Sequence, residues 1–369
     1  MTGPHGPQIA VMPDSFGGTL TATAAATAII DGWRRVRPAD LLVAAPQSDG
    51  GPGFVDVLHT TLGGALHETT VTGPLGEPET ARYLQVGDTA YLEAAQACGL
   101  PLLRRPPDPG TALSATTAGV GDLIARAAAG RARRIVVGLG GTATTDGGRG
   151  AVEAMGGLAA ARRLLDQVEL VVATDVDNLL LGPEGAAAVF GPQKGADPGT
   201  VAALEARMAS WADELADELA DDGLDVRDRP GAGAAGGLGA ALMALGGHRV
   251  SGAAHIAGQT GRARVIAASA AVITGEGRLD DQTRRGKVVA AIAGEARAAG
   301  VPLIVLTGQS LLSAEQAGEL GAVYSLTERA GSVDAAKTAA ARLLTDAAAD
   351  AARDFSVRGS GGVGTGGIR

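Results

Sequence analysis

Residues 135–157 read I-V-V-G-L-G-G-T-A-T-T-D-G-G-R-G-A-V-E-A-M-G-G, and no other stretch constrains the fold as much. Ile135, Val136 and Val137 are consecutive β-branched residues, the signature of a short buried strand. The next eleven residues, 138–148, hold five glycines (Gly138, Gly140, Gly141, Gly147, Gly148), three threonines and one acid, Asp146. Glycine is required where the backbone takes a positive φ or comes close to a ligand. Thr142, Thr144, Thr145 and Asp146 add hydroxyls and a carboxylate beside those amides, the equipment of a loop that handles phosphate and metal. An ordinary glycine-rich turn is the alternative that this stretch alone leaves open.

A second alternative is a dinucleotide site. Gly138, Gly140 and Ala143 fit G-x-G-x-x-[GA] after a strand. Gly231, Gly233 and Gly236 fit the same pattern with no strand before them, so the match discriminates little here. The acid expected about 20 residues on is also poorly placed, because that neighbourhood runs from Gly157 to Ala161. A nicotinamide dehydrogenase is therefore set aside.

At 369 residues the chain exceeds the usual size of one domain, and two are expected. A net charge of −9 gives no reason to seek nucleic acid. No apolar run reaches the roughly 18 residues of a membrane span, and no basic-then-apolar signal segment opens the chain. A single cysteine, Cys98, excludes an intrachain disulfide and suits a reducing compartment, so a cytoplasmic protein without a membrane partner is expected. The five histidines show no metal-ligand spacing. Of 31 basic residues only Lys194, Lys287 and Lys337 are lysines, so arginine is the default surface cation. Lys194 in G-P-Q-K-G and Lys287 in R-R-G-K each touch a glycine, where a compact charge suits a phosphate. Lys337 reads as a solvated helix face.

Taken in order, the chain reads as strands and helices, and its final portion, strands over 303–307 and 323–326 with helices over 314–320 and 333–354, alternates in the manner of a parallel sheet. A strand over 9–12 leads into P-D-S-F-G-G-T-L and a helix over 21–36, a geometry that aims free amides at an anion. A strand over 41–45 ends in Ser48-Asp49-Gly50-Gly51. Because ligands meet α/β sheets at the carboxyl ends of strands, Asp14, Ser15, Asp49, Gly50 and Gly51 are substrate-binding candidates, with ordinary turn chemistry as the alternative. Residues 69–93 have a hairpin pattern, which marks a domain boundary. A strand over 169–174 ends in A-T-D-V-D-N. Alternation puts Asp175 and Asp177 on one side of an extended segment, where two carboxylates would call for a cation such as Mg²⁺. A helix cap with an Asx turn explains the pair equally. A second glycine-rich loop, 230–239, opens a helix. A strand over 271–274 runs into G-E-G-R-L-D-D, which presents Glu276, Arg278 and Asp280 and leads to Gly286-Lys287.

With these loops assembled, the chain resembles the bacterial glycerate kinase family of the glyoxylate- and glucarate-pathway type. The matching stretches, in the family's order, are P-D-S-F-G-G-T-L, S-D-G-G, G-L-G-G-T-A-T-T-D-G-G, A-T-D-V-D-N, G-P-Q-K-G-A, P-G-A-G-A-A-G-G-L-G and V-I-T-G-E-G-R-L-D-D-Q-T with G-K. The resemblance implies a flavodoxin- or Rossmann-like α/β domain built from both chain ends, with a second α/β domain inserted. The expected bounds are 9–66 plus 286–355 for the first and 67–285 for the insert, with 1–8 and 356–369 disordered. It implies ATP- and Mg²⁺-dependent phosphorylation of D-glycerate, and it leaves a homo-oligomer open.

On that reading Gly140, Gly141, Thr142, Thr144, Gly147, Gly148, Lys194, Gly233 and Gly236 hold the nucleotide, and Asp175 and Asp177 hold the metal. Asp175 or Asp146 accepts the hydroxyl proton, Lys287 serves the transferred phosphoryl group, and Arg278 clamps the substrate carboxylate beside Glu276 and Asp280. Two positions depart from the family. Where relatives read D-S-F-K-G and A-D-G-G-E-G, this chain has Gly17 and Pro52. These departures motivate the rival reading, a non-catalytic or altered-substrate descendant that binds nucleotide or another small hydroxy acid.

Overall fold

The computed structural model describes residues 6–220, 224–280 and 288–355. In the described residues the strands run β1 (Gln8–Pro13), β2 (Leu41–Ala44), β3 (Ala65–Thr72), β4 (Pro78–Val86), β5 (Thr89–Glu93) and β6 (Arg134–Gly138). They continue with β7 (Glu169–Ala173), β8 (His248–Val250), β9 (Ala271–Leu279), β10 (Leu303–Ser310) and β11 (Ala322–Ser325). The chain divides into two compact units, Met1–Pro46 with Arg262–Arg369 and, between them, Gln47–Gly261.

The first unit carries a sheet of order β11-β10-β9-β1-β2 in which every pairing is parallel. Numbered within the unit, that order is 2-1-3-4-5, the flavodoxin-like arrangement, with its reversal point between β1 and β9. Parallel strands are covered on both faces and so read as continuous apolar runs. Ile9, Ala10, Val11 and Met12 are accordingly all fully buried. On one face the helices Ala22–Arg34 and Ala340–Asp354 pack against each other with Ile29, Trp33, Leu344 and Ala348 buried. Their closeness depends on Gly32, where a Cβ would lie 2.0 Å from the Thr345 carbonyl oxygen. The helix Val288–Ala298 covers the other face with Val289 and Ile292.

The second unit has a sheet of order β3-β4-β5-β6-β7-β8. β3, β4 and β5 form antiparallel hairpins, and β5 to β8 are parallel. Leu92, Ile135, Val137 and Val172 are buried in one core with Leu123 and Ile124 of the helix Ala118–Ala129. On the other face Tyr91 meets Phe54 of the helix Phe54–Leu62 and His255 of the helix Gly252–Thr260, ring centroids 6.4 Å and 6.0 Å away. The two ends of this unit touch, since Gln47 Nε2 donates to Thr260 Oγ1 at 3.2 Å.

Several expectations are corrected. The chain passes between units at 46/47 and 261/262, not at 66/67 and 285/286. The segment 47–66 belongs to the second unit because its backbone seats on that unit's sheet. β9, expected in the insert, lies between β1 and β10 in the first unit and runs on to Leu279. Residues 6–8 are ordered: Gln8 begins β1, and the Gly6 amide donates to the Ala39 carbonyl at 2.7 Å. The tail 356–369 lies outside the described residues, as do residues 1–5. β8 and the helices Leu158–Leu165 and Gly252–Thr260 are additional to the elements read from sequence.

Candidate functional site

In the second unit three glycine-bearing segments gather at the carboxyl ends of the parallel strands. After β6 comes 139–148, whose Gly140 amide donates to the Gly50 carbonyl at 3.1 Å. A Cβ on Gly140 would sit 2.3 Å from Gly51 Cα, and one on Gly141 2.6 Å from Pro52 Cγ. The segment 48–53 thus lies directly on this loop and is pinned by local bonds. The Gly50 amide donates to Ser48 Oγ at 3.2 Å, and the Gly51 amide donates to Asp49 Oδ1 at 3.0 Å. The third segment, 230–239, interlocks with the same loop from elsewhere. The Gly147 amide donates to the Gly236 carbonyl at 3.0 Å, and a Cβ on Gly236 would lie 1.9 Å from the Thr144 carbonyl oxygen. Gly233 likewise leaves no room, 2.2 Å from the Leu179 carbonyl oxygen. Gly233 and Gly236 are therefore required first by backbone-to-backbone packing.

Asp146 holds the loop's far end. Its carboxylate accepts from the Thr117 amide and hydroxyl (2.8 Å each), the Gly148 amide (3.0 Å) and the Gly150 amide (3.2 Å). These four donors make it an anchor of the loop. Lys194, 3 % exposed, donates through Nζ to the Thr144 carbonyl at 2.6 Å and to Thr142 Oγ1 at 3.4 Å. Burial pulls its pKa down to about 8, against weaker opposing pulls from Cys98 and Asp146. Between these supports the backbone amides of Thr144, Thr145 and Asp146 find no acceptor among the described residues. Thr145 Oγ1, in a residue 2 % exposed, has no partner either. Thr144 and Thr145 are buried and Asp146 is half-buried, and buried polar groups are almost always hydrogen-bonded, so this run can accommodate an acceptor.

Asp175 and Asp177 follow β7, both exposed, and each engages a different protein partner. Asp175 accepts from the Ser251 hydroxyl and, at 2.9 Å, from the Ala253 amide, at the start of the helix Gly252–Thr260. Asp177 pairs with Arg249 at 2.5 Å. The expected convergence on one cation is replaced by these separate contacts. No group of three or more His, Cys, Asp or Glu is gathered as for a metal among the described residues.

Sequence reasoning missed Glu93, the last residue of β5. Only 4 % exposed, it accepts from the Gly53 amide at 3.0 Å and the Val55 amide at 3.3 Å, capping the helix Phe54–Leu62. Burial pushes its carboxyl up to about 7, with the Asp56 charge adding to the rise. No sequence signal marked it, because its donors come from a segment about 40 residues earlier.

In the first unit, β1 and β9 deliver their residues at the reversal point. The Asp14 amide donates to the Gly275 carbonyl at 2.8 Å, and the Gly277 amide donates to the Ser15 carbonyl at 3.3 Å. The Ser15 amide turns back to Asp14 Oδ1 at 2.6 Å. Asp14, Ser15 and Glu276 are thereby brought to one end of neighbouring strands. Arg278, expected to clamp a carboxylate, pairs with Asp280 at 3.1 Å. Gly17 takes φ +49 and nothing lies within 4 Å of a Cβ there. Lys287 lies outside the described residues.

An all-parallel sheet in one unit and a mixed sheet in the other, with acids and glycine-rich loops at strand carboxyl ends, are the architecture of an α/β enzyme. The model of the glycerate kinase family matches residues 9–163 and 157–356, and the chain belongs to that family. It is 38 % identical to a glycerate kinase of Halalkalibacterium halodurans over 92 % of this chain and 96 % of that one. It is 34 % identical to a glycerate 2-kinase of Escherichia coli K12 over 89 % and 93 %. An uncharacterized protein of Mycobacterium bovis is 50 % identical over 96 % and 93 %. A crystal structure from Salmonella typhimurium LT2, which bears glycerate kinase 2 as an inferred name, superposes with a TM-score of 0.74 at 34 % identity, covering 95 % and 98 %.

Proposed function

We propose that this chain is a glycerate kinase that transfers the terminal phosphoryl group of ATP, with Mg²⁺, to a hydroxyl of D-glycerate, giving phosphoglycerate and ADP. The observation that carries the reading at the site is the open run of amides at Thr144, Thr145 and Asp146 with the unpartnered Thr145 hydroxyl. Phosphoryl transfer asks chiefly for positioning and charge neutralisation, and such a run supplies both to phosphate oxygens. Gly140, Gly141, Gly147 and Gly148 let the backbone take this path, and Thr142 and Thr144 flank it. For Mg²⁺ the donor set fits more narrowly. Asp177 is an exposed carboxylate paired through Oδ1 with Arg249, and Mg²⁺ needs only one or two carboxylates beside phosphate oxygens and water. When bound, the metal supplies charge neutralisation on the phosphates. Asp175, exposed after β7, is assigned the hydroxyl proton. The substrate candidates are Asp14, Ser15 and Glu276 within the first unit or, as the alternative, Asp49, Gly50 and Gly51 within the second.

The test is ADP release by purified protein given ATP, Mg²⁺ and a panel of small hydroxy acids, with the product identified by NMR. ADP release is expected to require both Mg²⁺ and D-glycerate. Release with another hydroxy acid and none with glycerate would make the chain an altered-substrate enzyme. Nucleotide binding without any release would make it the non-catalytic descendant that Gly17 and Pro52 suggest.

A further inference from the structure

We propose that Lys194 is the internal counter-charge of the 139–148 loop, a positioning residue through which the loop binds a phosphate-bearing ligand together with a proton. The inference rests on the nucleotide reading of that loop.

Three observations meet here. First, Lys194 is a buried cation whose acceptors, the Thr144 carbonyl and the Thr142 hydroxyl, are both neutral, and it has no ion-pair partner among the described residues. A charge removed from water without a compensating charge is held at a cost, and unpaired buried lysines are correspondingly rare. Second, Thr144 connects Lys194 to the open run. Its carbonyl receives the ammonium, while its own amide begins the series of three amides without acceptors. Polarisation runs along such a chain, so a charged donor on the carbonyl strengthens the amides that follow. Third, the unpartnered Thr145 hydroxyl is buried in the same turn.

The titratable groups that act on Lys194 are Asp146 and Cys98. The Asp146 carboxylate is taken up by Thr117, Gly148 and Gly150, and burial pushes the Cys98 thiol up to about 12, so the thiol stays neutral. Together they offset only part of the burial, since the Lys194 pKa still falls to about 8. An anion seated on the amides of 144–146 would offset the rest, and it would restore the proton affinity that burial has removed. The sign of the linkage follows. Below about pH 8 the free protein already carries the proton, and affinity for the anion is flat. Above it, binding takes up a proton, and affinity falls by roughly tenfold per pH unit until the bound-state pKa is reached.

The experiment is calorimetry of ADP binding to the full chain without divalent cations, at pH 7.5 and pH 9.5, in two buffers of different ionisation heat. ADP is fully ionised across this range, so the proton reports on the protein. Wild type is expected to bind roughly ten- to thirtyfold more weakly at pH 9.5, with net proton uptake there. Lys194→Met should bind as weakly at pH 7.5 as at pH 9.5 and take up no proton. Its melting temperature should change little, because relief of a buried charge is set against the Thr144 carbonyl and Thr142 hydroxyl left without their donor. Thr145→Val should weaken binding at both pH values and keep the wild-type slope, a pattern that a loop merely collapsed by mutation would not give. Wild-type ADP affinity independent of pH, or a Lys194→Met protein with the wild-type slope, overturns the counter-charge while the loop reading stands. Absence of ADP binding to wild type at either pH overturns both.

Discussion

Glu93 shows how one buried group sets a pH dependence. Its carboxyl, ordinarily near 4.5, is pushed to about 7 by burial, with Asp56 raising it further and the Gly53 and Val55 amides and Gln96 opposing. The folded chain therefore holds this proton longer than the unfolded chain does. The stability contributed by the neutral form is complete below about pH 4.5 and is lost as pH rises through 7. The difference corresponds to something on the order of 3 kcal/mol at 1.36 kcal/mol per unit. Glu93→Gln removes the titration but can still accept both amides. Urea unfolding of the second unit, followed by its tryptophan, Trp211, should show wild type losing stability relative to Glu93→Gln between pH 5 and pH 8. A stability difference that stays constant with pH would show that this carboxyl does not titrate there. Legibility at this scale was uneven. Lysine scarcity singled out Lys194 but carried no sign of its burial. Nothing in a lone acid after Tyr91-Leu92 marked Glu93, since its environment comes from Gly53 and Val55, about 40 residues earlier in the chain.

At the level of elements, the glycine loops differ in what their glycines are for. Gly236 takes φ +67 and a Cβ there would meet the Thr144 carbonyl oxygen at 1.9 Å, so Gly236→Ala must push the two loops apart. Displacement of about an ångström at a site typically costs on the order of 10²-fold in turnover, and that loss in kcat/KM is the expected result for Gly236→Ala. Gly246 takes φ +89 with nothing within 4 Å of its Cβ. Gly246→Ala should cost only the left-handed strain of about 1–2 kcal/mol in unfolding and leave kcat/KM unchanged. Equal kinetic effects at the two positions would refute the packing argument. The glycine runs themselves were plain in the sequence, because positive φ and close approach leave a compositional mark. Their interlocking was not, since no periodicity links residue 144 to residue 236. β8 and the helix Gly252–Thr260 were hidden for a related reason. A three-residue strand and an Ala/Gly-rich helix offer too few apolar positions to establish a period. β9 was read too short because glycine and charge replace apolar residues beyond Thr274, although the ladder with β10 continues to Ser310.

For the whole molecule, a parallel sheet was legible in the alternation of strands and helices, while its assembly from both chain ends came from the family resemblance alone. The junctions were not legible. The hairpin pattern of 69–93 suggested a boundary there, whereas the chain changes unit at 46/47, where backbone contacts of Gly50 and Gly51 decide the matter. The second unit is one continuous segment with its own core and with its ends joined through Gln47 and Thr260. A polypeptide of residues 47–261 should therefore fold alone, with a cooperative thermal transition by circular dichroism. A broad, non-cooperative melt would show that its core depends on the rest of the chain.

The position of β1 in the first sheet also sets a timetable for synthesis. Its neighbours are β2, which follows at once, and β9, which leaves the ribosome more than 250 residues later. At about 5–20 residues per second, Ile9 to Met12 wait roughly 10 to 50 s for their second partner while the intervening unit is completed. During that interval an apolar strand edge is open to any other nascent chain. A cell that makes this protein has to shelter its first fifteen residues until its last hundred arrive.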